Sequence, residues 1–353
     1  MIDLPQAWPR PTRPRPIVIV GAGGIVRTAH LPTYRRLGLP VAGLFDVNAE
    51  AAADTARQFG VDTVFLRLED AAAVPQAVFD LAVPGSEILP TLTRLPAGAA
   101  VLIQKPLGED LGAARRIVAL CRERRLVAAV NFQLRFSPGL LALDALVRGG
   151  RLGPVVDVDV RLVVHQPWHL WTFLEKSPRL EVLYHSIHYL DAIRLLVGEP
   201  EGVYCKAVAH PALPRLRDTR SSIVLDYGDR LRCSLALNHT HHQGPRHRAS
   251  QLAVEGTEGA ALLTLGVNLD YPEGGPDRLE VALDGKAWED VPLRGSWFIE
   301  AFEGPMSNLQ RHVTGEDAAL VSPVSDALRT MALVEACYAS SARGATAIPG
   351  VGE

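Results

Sequence analysis

The clearest chemical pattern in the sequence is a glycine-rich turn followed, one element later, by an acidic residue. The tetrapeptide Gly-Ala-Gly-Gly lies between a short β-branched run at 17–20 and a helical pattern. Glycines let such a turn bend sharply and approach a pyrophosphate, and the following helix offers free N–H groups. A carboxylate ending the second apolar run can accept hydrogen bonds from the ribose hydroxyls and repel a 2′-phosphate. The pattern predicts a dinucleotide site that prefers NAD to NADP. Its residues are Gly21, Gly23, Gly24, Ile25 and Asp46.

The glycine fingerprint is incomplete, because Val26 stands where a third glycine is expected. A turn of this kind is weak evidence alone, and Asp46 has an alternative interpretation as the cap of the next helix. The surrounding order of strand, turn, helix and acidic strand end favours the dinucleotide site.

The elements that position this turn alternate regularly through the first part of the chain. Apolar runs and helix-length segments follow one another, which predicts βαβ units and a parallel sheet buried on both faces. The predicted strands are 17–20, 41–45, 77–83, 99–103 and 127–132, and the clearest helices are 49–59 and 109–124.

The pattern changes near residue 150, where apolar and polar residues begin to alternate with a period of two. Such alternation predicts half-exposed strands, and the turn signals between them predict hairpins. The segments are 156–164, 202–210, 221–227, 230–239, 250–255, 260–265 and 278–283, interrupted by helical patterns at 181–197, 299–314 and 323–342. The predicted fold class is α/β, with a Rossmann domain followed by an α+β domain whose mainly antiparallel sheet has an open face. The predicted divisions are a flexible lead-in (1–15), a cofactor domain (16–137) and a substrate and assembly domain (138–353).

Composition excludes several classes of protein. The 353 residues include 36 basic and 39 acidic side chains, a net charge of −3, so no overall basic field attracts nucleic acid. No apolar run reaches the length of a membrane span, and the N-terminus lacks a signal-peptide core. The four cysteines are far apart, which fits reduced thiols. We therefore expect a cytoplasmic enzyme with no metal, no nucleic-acid partner and no membrane association.

Four further motifs make the sequence resemble one family. They are Gln104-Lys105-Pro106, the segment 130–138 (VNFQLRFSP), the segment 184–191 (YHSIHYLD) and the segment 254–259 (VEGTEG). In this order they resemble the Gfo/Idh/MocA oxidoreductases, the family of glucose–fructose oxidoreductase and inositol dehydrogenase. The resemblance covers about residues 16–349. It implies a nicotinamide cofactor in the cleft between two domains, with Pro84, Gln104 and Lys105 beside it. It also implies pairing through the open sheet face into a homodimer or homotetramer.

The resemblance assigns the catalytic residues Lys105 and His188. Lys105 follows a buried strand and precedes Pro106, so its ammonium would hold the reacting hydroxyl and stabilise an alkoxide. His188, with an ordinary pKa of about 6.5, would serve as general base. Asp191 would orient that ring or help pack its helix. The alternatives are a surface lysine beside a turn and a histidine satisfied within the core.

The chain departs from the family pattern at Tyr184, where many members carry an aspartate. A tyrosine four residues before His188 shares its helical face and would relay a proton or line the pocket. Gln104 replaces the usual glutamate, which removes a charge near Lys105 but keeps hydrogen bonding.

Two segments are candidates for substrate binding. The first, 165–171, combines tryptophans with imidazoles, a composition suited to sugars or to an ordinary loop with buried tryptophans. The second, 239–248, is rich in His and Arg and would bind an anionic group, remain a solvated loop, or reach a neighbouring subunit. The residues predicted to contact substrate are Gln133, Arg135, Trp168, His169, Trp171, His185 and His188; Gln133 and Arg135 have the alternative of packing the hinge.

Three functions follow from these residues. The first is NAD(H)-dependent hydride transfer at a secondary hydroxyl of a sugar, polyol or sugar acid, for which an anionic substrate group is one option. The second is an NAD-using lyase or glycosidase that passes through a transient keto group, for which the departure at Tyr184 leaves room. The third is a sugar-sensing regulator, against which the presence of Lys105 and His188 argues.

Overall fold

A computed structural model describes residues 4–271 and 273–346, without the side chains of Thr172 and Phe173. Two sheets organise the described chain, a parallel sheet in the first part and a larger, mainly antiparallel sheet in the second. The predicted fold class is confirmed. Within the described residues, no helix is both long and apolar enough to cross a membrane.

The first sheet is parallel throughout, in the order β2-β1-β3-β4-β5. Its strands are β1 (Ile17–Val20), β2 (Val41–Phe45), β3 (Val78–Leu81), β4 (Ala100–Gln104) and β5 (Val127–Asn131). Their side chains are almost all buried because helices cover both faces, as the unbroken apolar runs predict. Since the strands are parallel, the glycine-rich turn, Lys105 and the end of β5 lie at the same edge.

Local signals set the helix boundaries. The side chain of Asn48 accepts hydrogen bonds from the N–H groups of Glu50 and Ala51, and Gly60, with φ 67°, ends the same helix in a left-handed conformation. The helices are α1 (Leu31–Leu37), α2 (Ala49–Phe59), α3 (Leu68–Ala72), α4 (Gly85–Arg94), α5 (Leu111–Glu123), α6 (Pro138–Arg148), α7 (Ile187–Val197), α8 (Glu303–Val313) and α9 (Val324–Arg343). Ser137 caps α6, and the domain boundary at 137/138 stays a prediction.

One helix from the second part of the sequence completes the first sheet. Met306 and Leu309 of α8 are fully buried in the same apolar cluster as Ile17, Leu102 and Ala129. The amphipathic pattern of 299–314 predicts a helix, but it carries no information about which sheet that helix covers.

The second sheet has the order β13-β12-β11-β10-β6-β9-β8-β7. All its pairs are antiparallel except β6 with β9. Its strands are β6 (Val155–Val163), β7 (Gly202–Val208), β8 (Arg220–Asp226), β9 (Arg232–Asn238), β10 (Ala249–Gly256), β11 (Gly259–Thr264), β12 (Arg278–Leu283) and β13 (Glu289–Val291). The last strand lies outside the predicted segments.

One face of this sheet is exposed. Tyr204 and Val224 are solvent-accessible on it, and the ion pair of Arg232 with Asp157 joins neighbouring strands there. Pairing of subunits through this face stays a prediction.

The N-terminal lead-in is held against the body of the protein, which corrects its prediction as a flexible segment for residues 4–15. Its proline-rich sequence forms neither helix nor strand, but the Trp8 indole donates to Asp317 (2.8 Å) and packs edge-on against Phe136. The N–H of Arg15 donates to Gln310 (2.8 Å). Side-chain anchors of this kind leave no periodic signal in a sequence.

Candidate active site

The glycine-rich turn has the geometry that the sequence predicts. Gly21 has φ 110°, and a Cβ added there would lie 2.3 Å from the carbonyl oxygen of Ala82, so only glycine fits without a shift. A Cβ added at Gly23 or Gly24 would meet no atom within 4 Å. The turn is therefore tight where it touches the sheet and open on its outer side, where a pyrophosphate needs space.

The helix after the turn begins at Val26 with a π-helical turn (Val26–His30) that continues into α1. No acidic side chain occupies its first turn, so the positive end of the helix faces the open space without competition. Ile25 is half-buried beside the turn. These residues fit an NAD pyrophosphate.

Asp46 is bound to the turn itself. Its Oδ2 accepts from the N–H of Ala22 (2.7 Å) and its Oδ1 from the N–H of Asn48 (2.8 Å). The next helix is capped by Asn48, so the alternative role of Asp46 as helix cap is wrong. The carboxylate is half-buried at the end of β2, where it can accept hydrogen bonds from a ribose.

Replacement of Asp46 tests this cofactor site. We expect Asp46→Ala to weaken NAD⁺ binding roughly tenfold, about 1.4 kcal/mol, and to weaken NADP⁺ binding less, because the carboxylate that repels a 2′-phosphate is gone. Titration of each cofactor by protein fluorescence measures both constants. Asp54→Asn, an exposed change on α2, is the control and should alter neither; equal losses for both cofactors would contradict the role of Asp46.

Pro84 and Gln104 stand at the same edge of the sheet. Pro84 is exposed and directly precedes α4, and Gln104 pairs with Asn131 across β4 and β5. The Gln104 side chain accepts from the N–H of Lys105 (3.3 Å). Contact of both residues with the cofactor stays a prediction.

Lys105 extends from the end of β4 towards the second domain. Its Nζ donates to the main-chain carbonyl of Tyr184 (2.8 Å) in the segment before α7. Burial lowers the pKa of Lys105 to about 8. A lysine with that pKa can take up or release a proton near neutral pH.

His185, in the segment before α7, and His188, in the first turn of α7, both lie close enough to Lys105 to be affected by its charge. Burial first, and the charge of Lys105 second, lower the pKa of His188 well below its ordinary value. Burial also lowers the pKa of His185, with His239, Lys105 and His188 adding to the effect. Both rings are therefore neutral at neutral pH, and the expectation that His188 has an ordinary pKa is wrong.

Aromatic side chains form the wall behind these histidines. The ring of Trp168 lies 5.1 Å from that of His185, and Trp171 lies 6.3 Å from it. The ring of His188 packs against Phe132 (6.5 Å) and against Trp297 (5.3 Å). The structure thus brings together Lys105, both histidines and both predicted tryptophans.

Tyr184 lies beside the predicted catalytic lysine in the fold. Tyr184 touches Lys105 through its main chain, whereas its phenol is half-buried with Ser177 as a hydrogen-bond partner. Burial and the nearby Glu109 raise the pKa of that phenol. A part for this phenol in proton transfer or in lining the pocket stays a prediction.

Arg135 and Asp191 bind each other instead of substrate and His188. Arg135 Nε and Nη2 donate to the two oxygens of Asp191 (2.6 Å each), and its other contacts are Asp326 (2.5 Å) and the carbonyl of Val321 (2.8 Å). Both residues are buried. Their hydrogen bonds are consumed within the protein, so Arg135 is a structural residue of the hinge and Asp191 does not orient His188. Gln133, 5% exposed, keeps a buried Oε1 without a partner.

The His- and Arg-rich segment divides between the site and the surface. His239 lies inside, 4.8 Å from the His185 ring and 6.1 Å from Trp168. His242 is exposed and packs edge-on against His165. His169, predicted to bind substrate, is exposed. Among the described residues, no group of three or more His, Cys, Asp or Glu side chains is arranged to hold a metal ion.

Sequence reasoning missed Glu181 and Trp297. Glu181 is fully buried, and Trp297 lies on the chain between β13 and α8, far in sequence from the His188 ring that it touches. An acidic residue in an otherwise apolar helical segment was the available signal for Glu181; none was available for Trp297.

Comparison with known proteins agrees with this geometry. Residues 15–132 match the model of the oxidoreductase family with the NAD-binding Rossmann fold, and residues 140–262 match the GFO/IDH/MocA C-terminal domain. The chain belongs to the Gfo/Idh/MocA oxidoreductase family. The predicted family is confirmed, and NAD is the cofactor of its first domain.

Relatives within the family are named as sugar and polyol dehydrogenases. The chain is 27% identical to a D-apiose dehydrogenase of Paraburkholderia graminis, over 93% of this chain and 88% of that one. It is 28% identical to an inositol 2-dehydrogenase of Gluconacetobacter diazotrophicus, over 86% and 87%. An oxidoreductase of Agrobacterium radiobacter, solved with NAD⁺, L-tartaric acid and magnesium, has a TM-score of 0.79 at 18% identity, covering 94% of this chain and 97% of that one. This last likeness shows the shared fold.

Proposed function

We propose that this protein transfers a hydride between a secondary hydroxyl of a sugar, polyol or sugar acid and the nicotinamide of NAD. The supporting observation is a group of buried ring nitrogens, in His185 and His188 and in the tryptophans beside them, that have no hydrogen-bond partner among the residues that the structure describes. They are Trp168 Nε1, Trp297 Nε1, His185 Nε2 and His188 Nδ1. Buried polar atoms without partners are costly. A polyhydroxylated ligand, whose hydroxyls both donate and accept, would satisfy them.

Lys105 supplies the proton chemistry of this proposal. NAD held by the glycine-rich turn and Asp46 would supply the acceptor for the hydride of the carbinol carbon. The neutral amine of Lys105 takes the hydroxyl proton, so that the alcohol loses a proton and a hydride and leaves as the ketone. In the reverse direction the ammonium of Lys105 returns the proton to the carbonyl oxygen.

His188 and His185 orient the substrate in this scheme. Their lowered pKa values make them weak bases at neutral pH, so a neutral imidazole beside Lys105 offers hydrogen bonds without adding charge. This assigns the base to Lys105 instead of His188, in contrast to the expectation from sequence.

The pH dependence follows from the pKa of Lys105, about 8. Only the neutral amine accepts a proton, so kcat/KM for alcohol oxidation should rise roughly tenfold per pH unit below pH 8 and level off above it. Ketone reduction needs the ammonium and should decline above the same pH. Initial rates between pH 6 and 10 in both directions measure the two profiles. Two profiles with the same slope would contradict Lys105 as the proton carrier.

A substrate panel tests the function. Sugars, inositols and uronic and aldonic acids are incubated with NAD⁺ or NADP⁺, and absorbance of the reduced cofactor is followed. Reduction of NAD⁺ with an equivalent of ketone supports the proposal. Bond cleavage without net NADH would replace it by the lyase or glycosidase function, and binding without any reaction would replace it by the regulator.

A further inference from the structure

A buried carboxyl group lies behind the substrate-facing histidines and has no role in the proton transfer described above. Glu181 is 0% exposed, one helical turn before His185. Both of its oxygens are engaged: Ser186 Oγ donates to Oε1, and Ser221 Oγ donates to Oε2 (2.5 Å). The two hydroxyl donors replace the hydrogen bonds to water that this carboxyl group loses when it is buried, which would otherwise cost free energy.

Beyond the two serines, Glu181 lies near His239, whose ring forms part of the pocket wall. His239 Nδ1 lies 3.5 Å from Glu181 Oε1 without forming a hydrogen bond in this geometry, and Nδ1 has no hydrogen-bond partner among the described residues. The same ring lies 4.8 Å from His185 and 6.1 Å from Trp168. His239 therefore connects Glu181 with the wall of the pocket.

His239 stays neutral at working pH, because burial lowers its pKa to about 3. A neutral imidazole carries one proton, on either Nδ1 or Nε2, and the partner of one nitrogen decides the state of the other. An ionised Glu181 would accept from Nδ1–H and leave Nε2 as an acceptor. A protonated Glu181 would donate to Nδ1 and place the proton on Nε2, which then becomes a donor.

We propose that Glu181 sets the tautomer of His239 and so determines whether this ring offers the substrate a hydrogen-bond donor or an acceptor. Glu181 is then a positioning residue that acts through His239. The substrate part of this inference rests on the proposed function, whereas the tautomer of His239 does not.

The surroundings of Glu181 hold it near the point where both states are accessible. Burial raises its pKa to about 7, the two serine hydroxyls oppose this, and Asp218 adds to it. Asp218 accepts from the N–H groups of Leu180 (3.1 Å) and Glu181 (3.0 Å). The groups that face this site come from several elements: Ser186 before α7, Asp218 just before β8, Ser221 on β8, His239 after β9, and Tyr338 of α9, whose hydroxyl donates to Asp218.

Histidine ¹⁵N NMR of the full chain with NAD⁺ bound, without substrate, tests the tautomer directly. We expect the His239 proton to move from Nε2 to Nδ1 as the pH rises from 6 to 8.5, in a single transition near pH 7. The variant His239→Gln assigns the resonances. A His239 tautomer that stays constant over this range in the unmodified protein overturns the proposal.

Two variants, at Glu181 and at its partner Ser221, test whether Glu181 or another titrating group causes the transition. Glu181→Gln should abolish the transition. Ser221→Ala removes one of the hydroxyls that lower the Glu181 pKa, so it should move the transition to higher pH. An unchanged midpoint in Ser221→Ala, or a transition that persists in Glu181→Gln, overturns the proposal. Neither result depends on whether the substrate panel reveals an activity.

Discussion

Replacing Lys105 with methionine is expected to lower kcat/KM for alcohol oxidation roughly thousandfold, the usual contribution of a positioned acid–base group. Methionine has a similar length and is apolar, so the pocket keeps its volume. Because burial already disfavours the ammonium, as its lowered pKa shows, the variant should fold as well as the unmodified chain. Rates with the best substrate of the panel and a thermal unfolding curve measure the two effects.

Lys286→Met is the matched control for this experiment. Lys286 is exposed beside the turn between β12 and β13, and its contact with Asp284 is long (3.8 Å). The control should keep full activity. A Lys105→Met protein that folds and retains more than a tenth of the activity would contradict Lys105 as the general base. His188 would then be the first other candidate to test.

The part of the fold that sequence predicts well is local or periodic. The buried runs gave the parallel strands within a residue or two, since a strand covered on both faces has few polar residues. The end of the helix at 49–59 was predicted correctly because Gly60 marks it in the sequence, whereas its cap, Asn48, was not recognised and Asp46 was considered in its place.

The parts that sequence did not predict depend on tertiary neighbours. The pattern at 299–314 indicates a helix, yet only the folded chain places Met306 on the first sheet. Likewise, His188 has an ordinary pKa in isolation, and its lowered value arises from burial and from Lys105, which lies 83 positions away in the sequence. The pairing of Glu181 with His239 has the same origin, since it joins residues from separate elements.

The correction at Arg135 has the largest consequence for stability. Arg135 links the turn after β5 to Asp191 of α7 and to Asp326 of α9, and it is 4% exposed. Asp191 also accepts from Thr330 (2.8 Å), so the three elements share one buried network. Because α7 carries His188 one turn before Asp191, the network also fixes the helix that presents this ring to the pocket.

Arg135→Met should lower the free energy of unfolding by about 3–5 kcal/mol, since it removes the bidentate partner of the buried Asp191 carboxylate and leaves it the longer ion pair with Arg194 (3.7 Å). Arg148→Met breaks an exposed pair with Asp144 on α6 and should cost only about 0.5 kcal/mol. Both variants replace arginine with methionine, so the change of side chain is the same. Urea unfolding followed by circular dichroism measures how much free energy of unfolding each variant loses. If Arg135→Met unfolds at the same urea concentration as Arg148→Met, the buried network adds no more stability than the exposed pair. The double variant Arg135→Met with Asp191→Leu removes the Asp191 carboxylate as well. We expect it to recover most of the lost free energy of unfolding, because the loss in Arg135→Met comes from burying that carboxylate without its bidentate partner.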